Sequence, residues 1–346
     1  MADMERLSSD GLDLDSFRKE ALRRLRSSVS IDAAFFASVD PTTMLFTSAL
    51  AETPLAAVTA LFLDNEYVRD DVNKFARLAA ASDPVGSLDR STNGDRDMSA
   101  RYRDVLAPIG MGDELRVALV AGGLCWGVLC LHRAESPLGF DAAEVDFVRR
   151  VAPFLAGGLR RTVALFPAIP DASNSSGPGI IILDADLTVV SINPRAESIL
   201  ADIVDSDWPT HFDLPAPIYA AAAHLLGNHR EMVAAPTATR LRRGGGGWVT
   251  VQASSLNGTA GRQVAVVLDA ADTAAVSSLI LAAHGLTPAQ SRVVALVLQG
   301  RSTPSIVNEL HISANTLQEH LHVVFDKLGI GSRRELVAAL SVRGSR

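Results

Sequence analysis

Apolar and polar positions follow their clearest pattern from residue 284 onward, where apolar residues recur at helical spacing. The strongest apolar series has spacings of 4, 3 and 4 residues and consists of Leu317, Leu321, Val324 and Leu328. Such a series places its members on one face of a helix. Ser313 before it is a favourable N-cap and Gly329 after it is a helix stop, so the pattern predicts a helix between them.

Capping signals mark the neighbouring helices. Two capping boxes are present, one formed by Thr287 and Gln290 and the other by Ser332 and Glu335. A short helix at about residues 302–310 is followed by a turn and then by the longer helix described above. This order predicts a helix-turn-helix within a small all-α domain of four helices.

These residues resemble the DNA-binding domain of LuxR-type (GerE-like) bacterial transcription regulators, without a gap from Leu286 to about Leu340. The positions that carry the resemblance are Leu286-Thr287-Pro288, Gly300, Ile312-Ser313, Thr316-Leu317 with His320, Lys327-Leu328-Gly329 and Ser332-Arg333. So many positions at fixed offsets are more specific than a single short motif. The resemblance implies a DNA-binding domain over residues 284–346, with one helix in the major groove, where base pairs are distinguishable.

The resemblance also implies which side chains meet DNA. The residues at the DNA-binding positions are Asn315, Thr316, Gln318, Glu319, His322, Lys327 and Arg333. Gln318, Glu319 and His322 occupy positions that approach base edges in the family. Thr316, Lys327 and Arg333 occupy positions that touch phosphates.

The sequence departs from the common family pattern on this face. Many relatives carry lysine at the positions of Gln318 and His322, and a small or apolar residue at that of Glu319. Glutamine can pair with adenine and glutamate can accept from the cytosine amino group. Because the two missing lysines reduce counterion release, we expect modest affinity per domain, a shallow salt dependence and reliance on a dimer.

A homodimer is implied by the last helix, which supplies a dimer contact in relatives. In this sequence that helix carries Leu336, Val337 and Leu340 as the dimerisation residues. A two-fold dimer implies double-stranded promoter DNA with an inverted repeat.

An α+β module with an antiparallel sheet is predicted for the first half of the chain. Two apolar strands at residues 115–120 and 124–131 meet at Gly122-Gly123 and are followed by a helix. The polar residues 82–101 predict a mobile loop. The basic residues of a helical segment at 15–29 are interpreted as a solvated helix face.

This order of elements resembles a GAF domain, a small sensor module, over residues 14–165. The segments that carry the resemblance are residues 111–116, 126–127 and 131–133. Residues 166–178 contain prolines and a polar run, and they are predicted to be a linker.

A second α+β module is predicted over residues 179–270. Its opening, GIIILDADLTVVSINPRAESIL, predicts strand, turn, strand and helix, and three later strands form a meander. This arrangement resembles a PAS domain. Residues 271–283 predict a connecting helix. The predicted fold class is therefore multidomain, with two antiparallel-sheet α+β modules followed by an all-α four-helix helix-turn-helix domain.

Charge is distributed unevenly along the chain. The net charge is -7, from 32 Lys and Arg against 39 Asp and Glu. From residue 284 onward seven basic residues stand against four acidic ones, a charge of +3, which leaves -10 for residues 1–283. Positive charge is thus concentrated in the predicted DNA-binding domain.

Motifs for catalysis or cofactor binding are not found, so we predict a non-enzymatic chain with no cofactor and no metal site. Cys125 and Cys130 are five apart on a predicted strand and face opposite sides, which supplies neither a local disulfide nor a zinc set. Low cysteine use fits a cytoplasmic protein. No apolar stretch reaches the ~20 residues of a membrane helix, so no membrane partner is expected.

The leading hypothesis is a sequence-specific DNA-binding transcription regulator whose upstream modules sense a signal or dimerise. The alternative is a signalling adaptor with a degenerate DNA-binding domain, which Glu319 and the missing lysines favour. Either module can hold a small-molecule effector of unknown identity. Aromatic residues that could line such a site, although aromatics are more often core, are Tyr102, Trp126, Trp208 and Trp248.

Overall fold

The computed structural model describes residues 2–134, 139–165, 177–203, 214–231, 238–244, 246–258 and 261–340. Most of the linker predicted at residues 166–178 lies outside these ranges, and so does Trp208. Among the described residues, no helix has the length and hydropathy needed to cross a lipid bilayer.

The described chain begins with helices, builds two antiparallel sheets and ends in helices. The α-helices are α1 (Ala2–Leu7), α2 (Leu14–Leu25), α3 (Thr59–Val68), α4 (Phe75–Ala80), α5 (Leu88–Ser91), α6 (Ala142–Ala164), α7 (Pro194–Leu200), α8 (Ala216–Glu231), α9 (Thr273–Ala283), α10 (Pro288–Leu298), α11 (Thr303–Leu310), α12 (Ala314–Leu328) and α13 (Arg333–Leu340). The strands are β1 (Ala33–Val39), β2 (Phe46–Ala51), β3 (Val85–Ser87), β4 (Met111–Ala121), β5 (Leu124–Ala134), β6 (Gly179–Leu183), β7 (Val189–Ile192), β8 (Ala238–Arg242), β9 (Trp248–Gly258) and β10 (Gly261–Ala270). The predicted fold class is confirmed.

Both sheets have five strands and the same topology. The strand order is β2-β1-β5-β4-β3 in the first sheet and β7-β6-β10-β9-β8 in the second. Every neighbouring pair is antiparallel. Numbered from its own first strand, each sheet reads 2-1-5-4-3. The two modules therefore repeat one architecture, although the sequence carries no evident repeat.

The central hairpin of the first sheet is buried on both faces. Strands β4 and β5 pair over their full length and turn at Gly122 and Gly123, which have φ of 62° and 76°. Positive φ at both positions favours glycine. Helices α2 and α6 contribute to the core on one face, and α3 and α4 contribute to the core on the other. This cover on both faces explains why residues 117–131 carry no charged side chain.

The prediction of a mobile loop at residues 82–101 is wrong. Strand β3 lies within this segment and pairs with β4, with Val85 opposite Val117, and α5 follows. Arg101 is only 1% exposed, and its Nε donates to Glu114 Oε2 at 2.8 Å. Some polar residues of the segment form ion pairs and hydrogen bonds inside the protein. Amino-acid composition alone does not distinguish such residues from solvent-exposed ones.

The basic side of α2 is not wholly solvated, contrary to the interpretation above. Arg18 is 1% exposed and donates to Ser48 Oγ at 2.7 Å and Ser38 Oγ at 3.1 Å. Lys19 and Arg23, by contrast, pair at the surface with acidic residues of the same helix. Arg18 therefore ties α2 to strands β1 and β2.

Two adjacent glycines of α6 have different surroundings and give a matched pair of substitutions. A Cβ on Gly158 would lie less than 3.0 Å from the ring of Phe17, whereas a Cβ on Gly157 would meet no atom within 4 Å. We expect Gly158→Ala to lower the free energy of unfolding by about 1–3 kcal/mol through overpacking. Gly157→Ala should raise it by about 0.5–1 kcal/mol through helix propensity. Urea denaturation measures both, and equal effects would contradict the packing of α2 against α6.

Helix α9 connects the second sheet to the C-terminal helices and packs against the first module. Val276, Leu279 and Ile280 of this helix belong to the same apolar core as α6. The guanidinium of Arg160, near the end of α6, lies beside Gly285, just after α9. Helix α9 (Thr273–Ala283) lies within the segment predicted as a connecting helix, residues 271–283, and touches the first module directly.

Candidate DNA-binding site

The helix-turn-helix is formed by α11 and α12, and local sequence explains where its helices begin and end. Helix α11 ends at Leu310 and is followed by the capping residue His311, which has a left-handed φ of 53°. Ser313 Oγ then accepts the backbone N–H three residues later at 3.0 Å and caps α12. The capping box predicted from Thr287 and Gln290 is present at the start of α10.

The inner face of α12 fixes which side of the helix points outward. Leu317, Leu321 and Val324 are 0%, 4% and 0% exposed. They belong to one core with Ile306 of α11 and Leu336 of α13. The opposite side of α12 is therefore left at the surface.

The structure brings four of the predicted DNA-binding residues together on this outward face, namely Asn315, Gln318, Glu319 and His322, all exposed. Asn315 Nδ2 donates to Glu319 Oε1 at 2.9 Å. His322 Nε2 lies 3.6 Å from Asp326 Oδ2. The face thus offers amide, imidazole and carboxylate groups, which can donate to and accept from base edges.

The three residues at predicted phosphate positions are engaged within their own domain. Thr316 Oγ1 shares a hydrogen bond of 2.9 Å with Ser313 Oγ at the helix cap. Arg333 donates to the carbonyl oxygen of Arg301. The ammonium of Lys327 is half-buried and also bound internally. The contacts of Lys327 and Arg333 were not signalled by the sequence, because their partners lie more than 30 residues away in the chain.

Lys327 ties α12 to the start of α10. Its Nζ donates to the Gly285 carbonyl oxygen at 2.7 Å and to Gln290 Oε1 at 2.9 Å. We expect Lys327→Met to weaken amide protection of α12 by about 1–3 kcal/mol, because hydrogen bonds from a charged group are lost. Hydrogen exchange on the full chain measures this, with the exposed Arg334→Met as control. Unchanged protection together with a reduced salt dependence of DNA binding would contradict the internal role.

Two of the three residues predicted to form a dimer contact lie inside the domain. Leu336 and Leu340 are 0% and 5% exposed and pack in the core. The prediction needs correction for these two, because their i, i+4 spacing places both on the inner face of α13. Val337 is half-buried, and Ala338 and Ala339 beside it are exposed.

A buried ion pair joins the two sheet modules. Arg240 of β8 donates from Nε to Asp40 Oδ2 at 2.7 Å and from Nη2 to Asp40 Oδ1 at 2.8 Å. Asp40 lies in the turn between β1 and β2, and its side chain is 1% exposed. Nη1 of the same guanidinium donates to the Ala275 carbonyl oxygen in α9. One side chain therefore contacts the first module, the second sheet and the connecting helix.

A cavity of about 480 Å³ lies between the first module and α8. Its lining includes Glu66, Lys74, Phe75 and His224. Burial lowers the pKa of Lys74 to about 8. The Lys74 ammonium donates to the carbonyl oxygens of Asn65 and Glu66. Both signs of charge and an aromatic ring thus border the cavity.

The aromatic residues considered for a ligand site lie in different parts of the structure. Trp248 lines a smaller cavity of about 30 Å³ beside Arg240. Trp126 is 2% exposed, and its Nε1 donates to the Ala121 carbonyl oxygen at 3.0 Å, which makes it part of the core. Neither residue lines the cavity of about 480 Å³.

Charged side chains also form a buried network inside the first module. Glu114 Oε2 lies 2.7 Å from Arg101 Nη2, and Arg116 Nη2 lies 2.6 Å from Glu66 Oε2. Burial acts to raise the pKa of Glu114, but the charges of Arg101 and Arg116 outweigh it and leave the pKa below its ordinary value. Burial lowers the pKa of His132 to about 4, so its ring is neutral at physiological pH. Sequence reasoning missed this network.

The fold and the outward face of α12 define a helix-turn-helix protein with two upstream α+β modules. Residues 284–340 match the family model described as bacterial regulatory proteins, luxR family, and residues 13–159 match the GAF domain. The chain therefore carries a GAF domain followed by a C-terminal luxR-family domain, as the sequence resemblance predicted. The resemblance of residues 179–270 to a PAS domain stays a prediction.

Curated relatives include HTH-type transcriptional regulators of Mycobacterium bovis and Mycobacterium tuberculosis. Each is 45% identical to this chain over 60 residues, which is 17% of this chain and 7% of the relative. The chain therefore spans about 7% of the length of these relatives.

Solved structures similar to this chain share little sequence with it. The GAF domain/HD domain protein from Geobacter sulfurreducens is 16% identical, with 45% of this chain and 97% of that chain covered and a TM-score of 0.33. The VqsR LBD domain from Pseudomonas aeruginosa is 17% identical, with 47% and 95% covered and a TM-score of 0.34. At these TM-scores the likenesses carry no argument about function.

Proposed function

We propose that the chain is a promoter-binding transcription regulator controlled by its two upstream modules. The observation that supports this most directly is the polar outward face of α12, in a domain that matches the luxR family. The mycobacterial relatives described as transcriptional regulators support the same assignment. A promoter partner implies action in the cytoplasm, and the proposal includes no enzymatic activity.

Base reading is assigned to Gln318, Glu319 and His322. The amide of Gln318 suits the two major-groove groups of adenine, and the carboxylate of Glu319 suits the cytosine amino group. The hydrogen bond from Asn315 orients that carboxylate before DNA arrives. Asn315 therefore acts on base reading through Glu319, in addition to its own place on the exposed face.

A homodimer would present two copies of α12 to one side of the duplex. The surface residues of α13 that can supply its contact are Val337, Ala338 and Ala339, since Leu336 and Leu340 point inward. Two-fold symmetry then gives an inverted repeat with half-sites about 34–36 Å apart, one turn of the double helix.

Control of DNA binding is assigned to the junction around Arg240. This guanidinium holds the β1–β2 turn of the first module and the connecting helix α9 at the same time. A change in the relative position of the two sheets would move α9, which leads directly into α10. The upstream modules would thereby shift the population between DNA-competent and incompetent arrangements.

A small-molecule effector would occupy the cavity of about 480 Å³, whose size lies in the usual range for ligand pockets. The cavity is bordered by α3 and α4 of the first module and by α8 of the second. A ligand there would contact both modules. The charged groups at its edge, Glu66 and Lys74, favour a polar ligand.

Selection of duplexes from a random-sequence library by the full-length chain tests the proposed function. The expected result is an enriched motif with inverted-repeat symmetry. A chain with Gln318, Glu319 and His322 all replaced by alanine is the control and should enrich no motif. If the unchanged chain also enriches none, the proposal fails, and the signalling adaptor, whose modules would bind a partner protein, becomes the better account.

The salt dependence of binding should be shallow for a DNA-binding protein. Residues 284–346 carry a charge of only +3, and Lys327 and Arg333 are held by internal acceptors. With about two phosphate contacts per domain, a dimer should give a slope of about -4 for log binding constant against log salt concentration. Titrations at several salt concentrations measure the slope. A slope steeper than about -8 would contradict the expected small number of phosphate contacts.

A further inference from the structure

Four side chains with metal-binding or charged groups meet on one face of the β4–β5 hairpin. Glu114 stands opposite His132 across the two strands, and Arg116 stands opposite Cys130. Residues two apart on a strand point to the same side. Arg116 stacks on Phe75 of α4 at 3.8 Å from the ring centroid, so this face is the one that α4 covers.

Three of these side chains bring their ligand atoms close together. A carboxylate oxygen of Glu114, Cys130 Sγ and a ring nitrogen of His132 all lie within 4.8 Å of one another. All three residues are 0% exposed. Zinc binds nitrogen at about 2.0 Å and sulfur at about 2.3 Å, so two ligand atoms on opposite sides of the ion lie about 4.3 Å apart. A metal ion would therefore need only small side-chain movements to bind all three.

Polar atoms without hydrogen-bond partners lie at the same place and are available as ligands. Within the described residues, Glu114 Oε1 and both ring nitrogens of His132 have no hydrogen-bond partner. The other carboxylate oxygen of Glu114, Oε2, accepts a hydrogen bond from Arg101. Buried polar atoms without partners are rare in native proteins. The unpaired atoms of Glu114 and His132 are the atoms that would hold an ion beside Cys130.

We propose that Glu114, Cys130 and His132 form a binding site for a thiophilic transition-metal ion. A cysteine sulfur with a histidine nitrogen selects copper or zinc over hard cations such as magnesium or calcium. Binding breaks the S–H bond of Cys130, releases its proton to solvent and forms the sulfur–metal bond. The imidazole of His132 binds through a lone pair of its neutral ring, and Glu114 Oε1 supplies the third ligand.

The surrounding charge favours a monovalent ion. Three basic and three acidic groups interact in this network, namely Lys74, Arg101 and Arg116 with Glu66, Asp71 and Glu114. Replacement of the thiol proton by Cu(I) leaves the net charge unchanged. Zn(II) would add one positive charge to a buried site in which Arg116 Nε already lies 4.0 Å from Glu114 Oε1. The site therefore selects Cu(I) over Zn(II).

Metal analysis of the full-length chain tests the proposal. The chain is purified with a thiol reductant, stripped with a chelator, loaded separately with Cu(I) and Zn(II), and passed through gel filtration. We expect about one Cu(I) per chain to be retained and Zn(II) to be retained less. Cys130→Ser and His132→Gln should lose the copper. Cys125→Ser is the matched control, because Cys125 is buried on the same strand with its Sγ on the Gly127 carbonyl oxygen, and it should keep the copper.

Two results of the metal analysis would overturn the site. If the wild-type chain retained neither metal, the unpaired atoms would be hydrogen-bonded to ordered water instead. If Cys130→Ser retained copper, the metal would bind elsewhere in the chain. Stoichiometric zinc without copper would overturn the charge argument. X-ray absorption at the metal edge of the wild-type chain does not depend on any variant folding. One sulfur and one nitrogen or oxygen shell are expected, and a metal without a sulfur neighbour would contradict the proposal.

Discussion

Replacing Arg240 with methionine is expected to lower the free energy of unfolding by about 3–5 kcal/mol, the usual result of removing one partner of a buried ion pair. The loss would arise because the carboxylate of Asp40, with its side chain 1% exposed, would be left in the interior without the two hydrogen bonds from the guanidinium. Urea denaturation followed by tryptophan fluorescence measures it, since Trp248 lines the small cavity beside Arg240.

Two further variants separate the ion pair from a general effect of removing an arginine. Arg77→Met removes an exposed pair, with side chains of Arg77 and Asp70 exposed by 70% and 83%, and should cost less than about 1 kcal/mol. The double variant Arg240→Met with Asp40→Leu should recover much of the stability, because no charge is left buried alone. If Arg240→Met and Arg77→Met had equal effects, the junction would not hold the two modules together.

Gln318→Ala is expected to lower the preference for the selected DNA site over a shuffled sequence by about 1–3 kcal/mol, the usual contribution of one base-reading side chain. Gln318 is exposed on the outward face of α12. Its replacement leaves the core residues Leu317 and Leu321 untouched. Competition binding with the full-length chain measures the preference as a ratio of dissociation constants.

Gln299→Ala is the matched control for this substitution. Gln299 is an exposed glutamine of the same domain, but it caps α10 and lies outside the helix-turn-helix. The variant should keep the wild-type ratio of dissociation constants. An unchanged ratio in Gln318→Ala would mean that α12 does not read bases through this position. Equal loss in both variants would point to a general weakening of the domain.

Structural features that depend on neighbouring residues could be predicted from the sequence. The capping box of Thr287 and Gln290, the cap at Ser313 and the apolar series of α12 predicted the C-terminal helices, because each signal acts within a few residues. The turn at Gly122-Gly123 likewise marked the β4–β5 hairpin. The face of α12 that carries Gln318 and Glu319 followed from the same periodicity.

Contacts between residues far apart in the chain could not be predicted from the sequence. Arg240 and Asp40 are 200 positions apart, and nothing local to either residue indicates the other. Resemblance to the family predicted a dimer contact for Leu336 and Leu340, but both side chains are buried in the core of their own domain. Cys125 and Cys130 are the cysteines that the sequence offers for a metal set. Cys130 and Glu114 are 16 positions apart and come close only through the pairing of β4 with β5.

Helix α12 is proposed to read DNA sequence for the whole chain. Equilibrium binding of the full-length chain to its selected inverted repeat and to a shuffled duplex, at one fixed salt concentration, tests this most directly. A preference of at least about 10³-fold for the selected duplex is predicted, as is typical of specific DNA-binding proteins. Equal affinity for the two duplexes would contradict the claim.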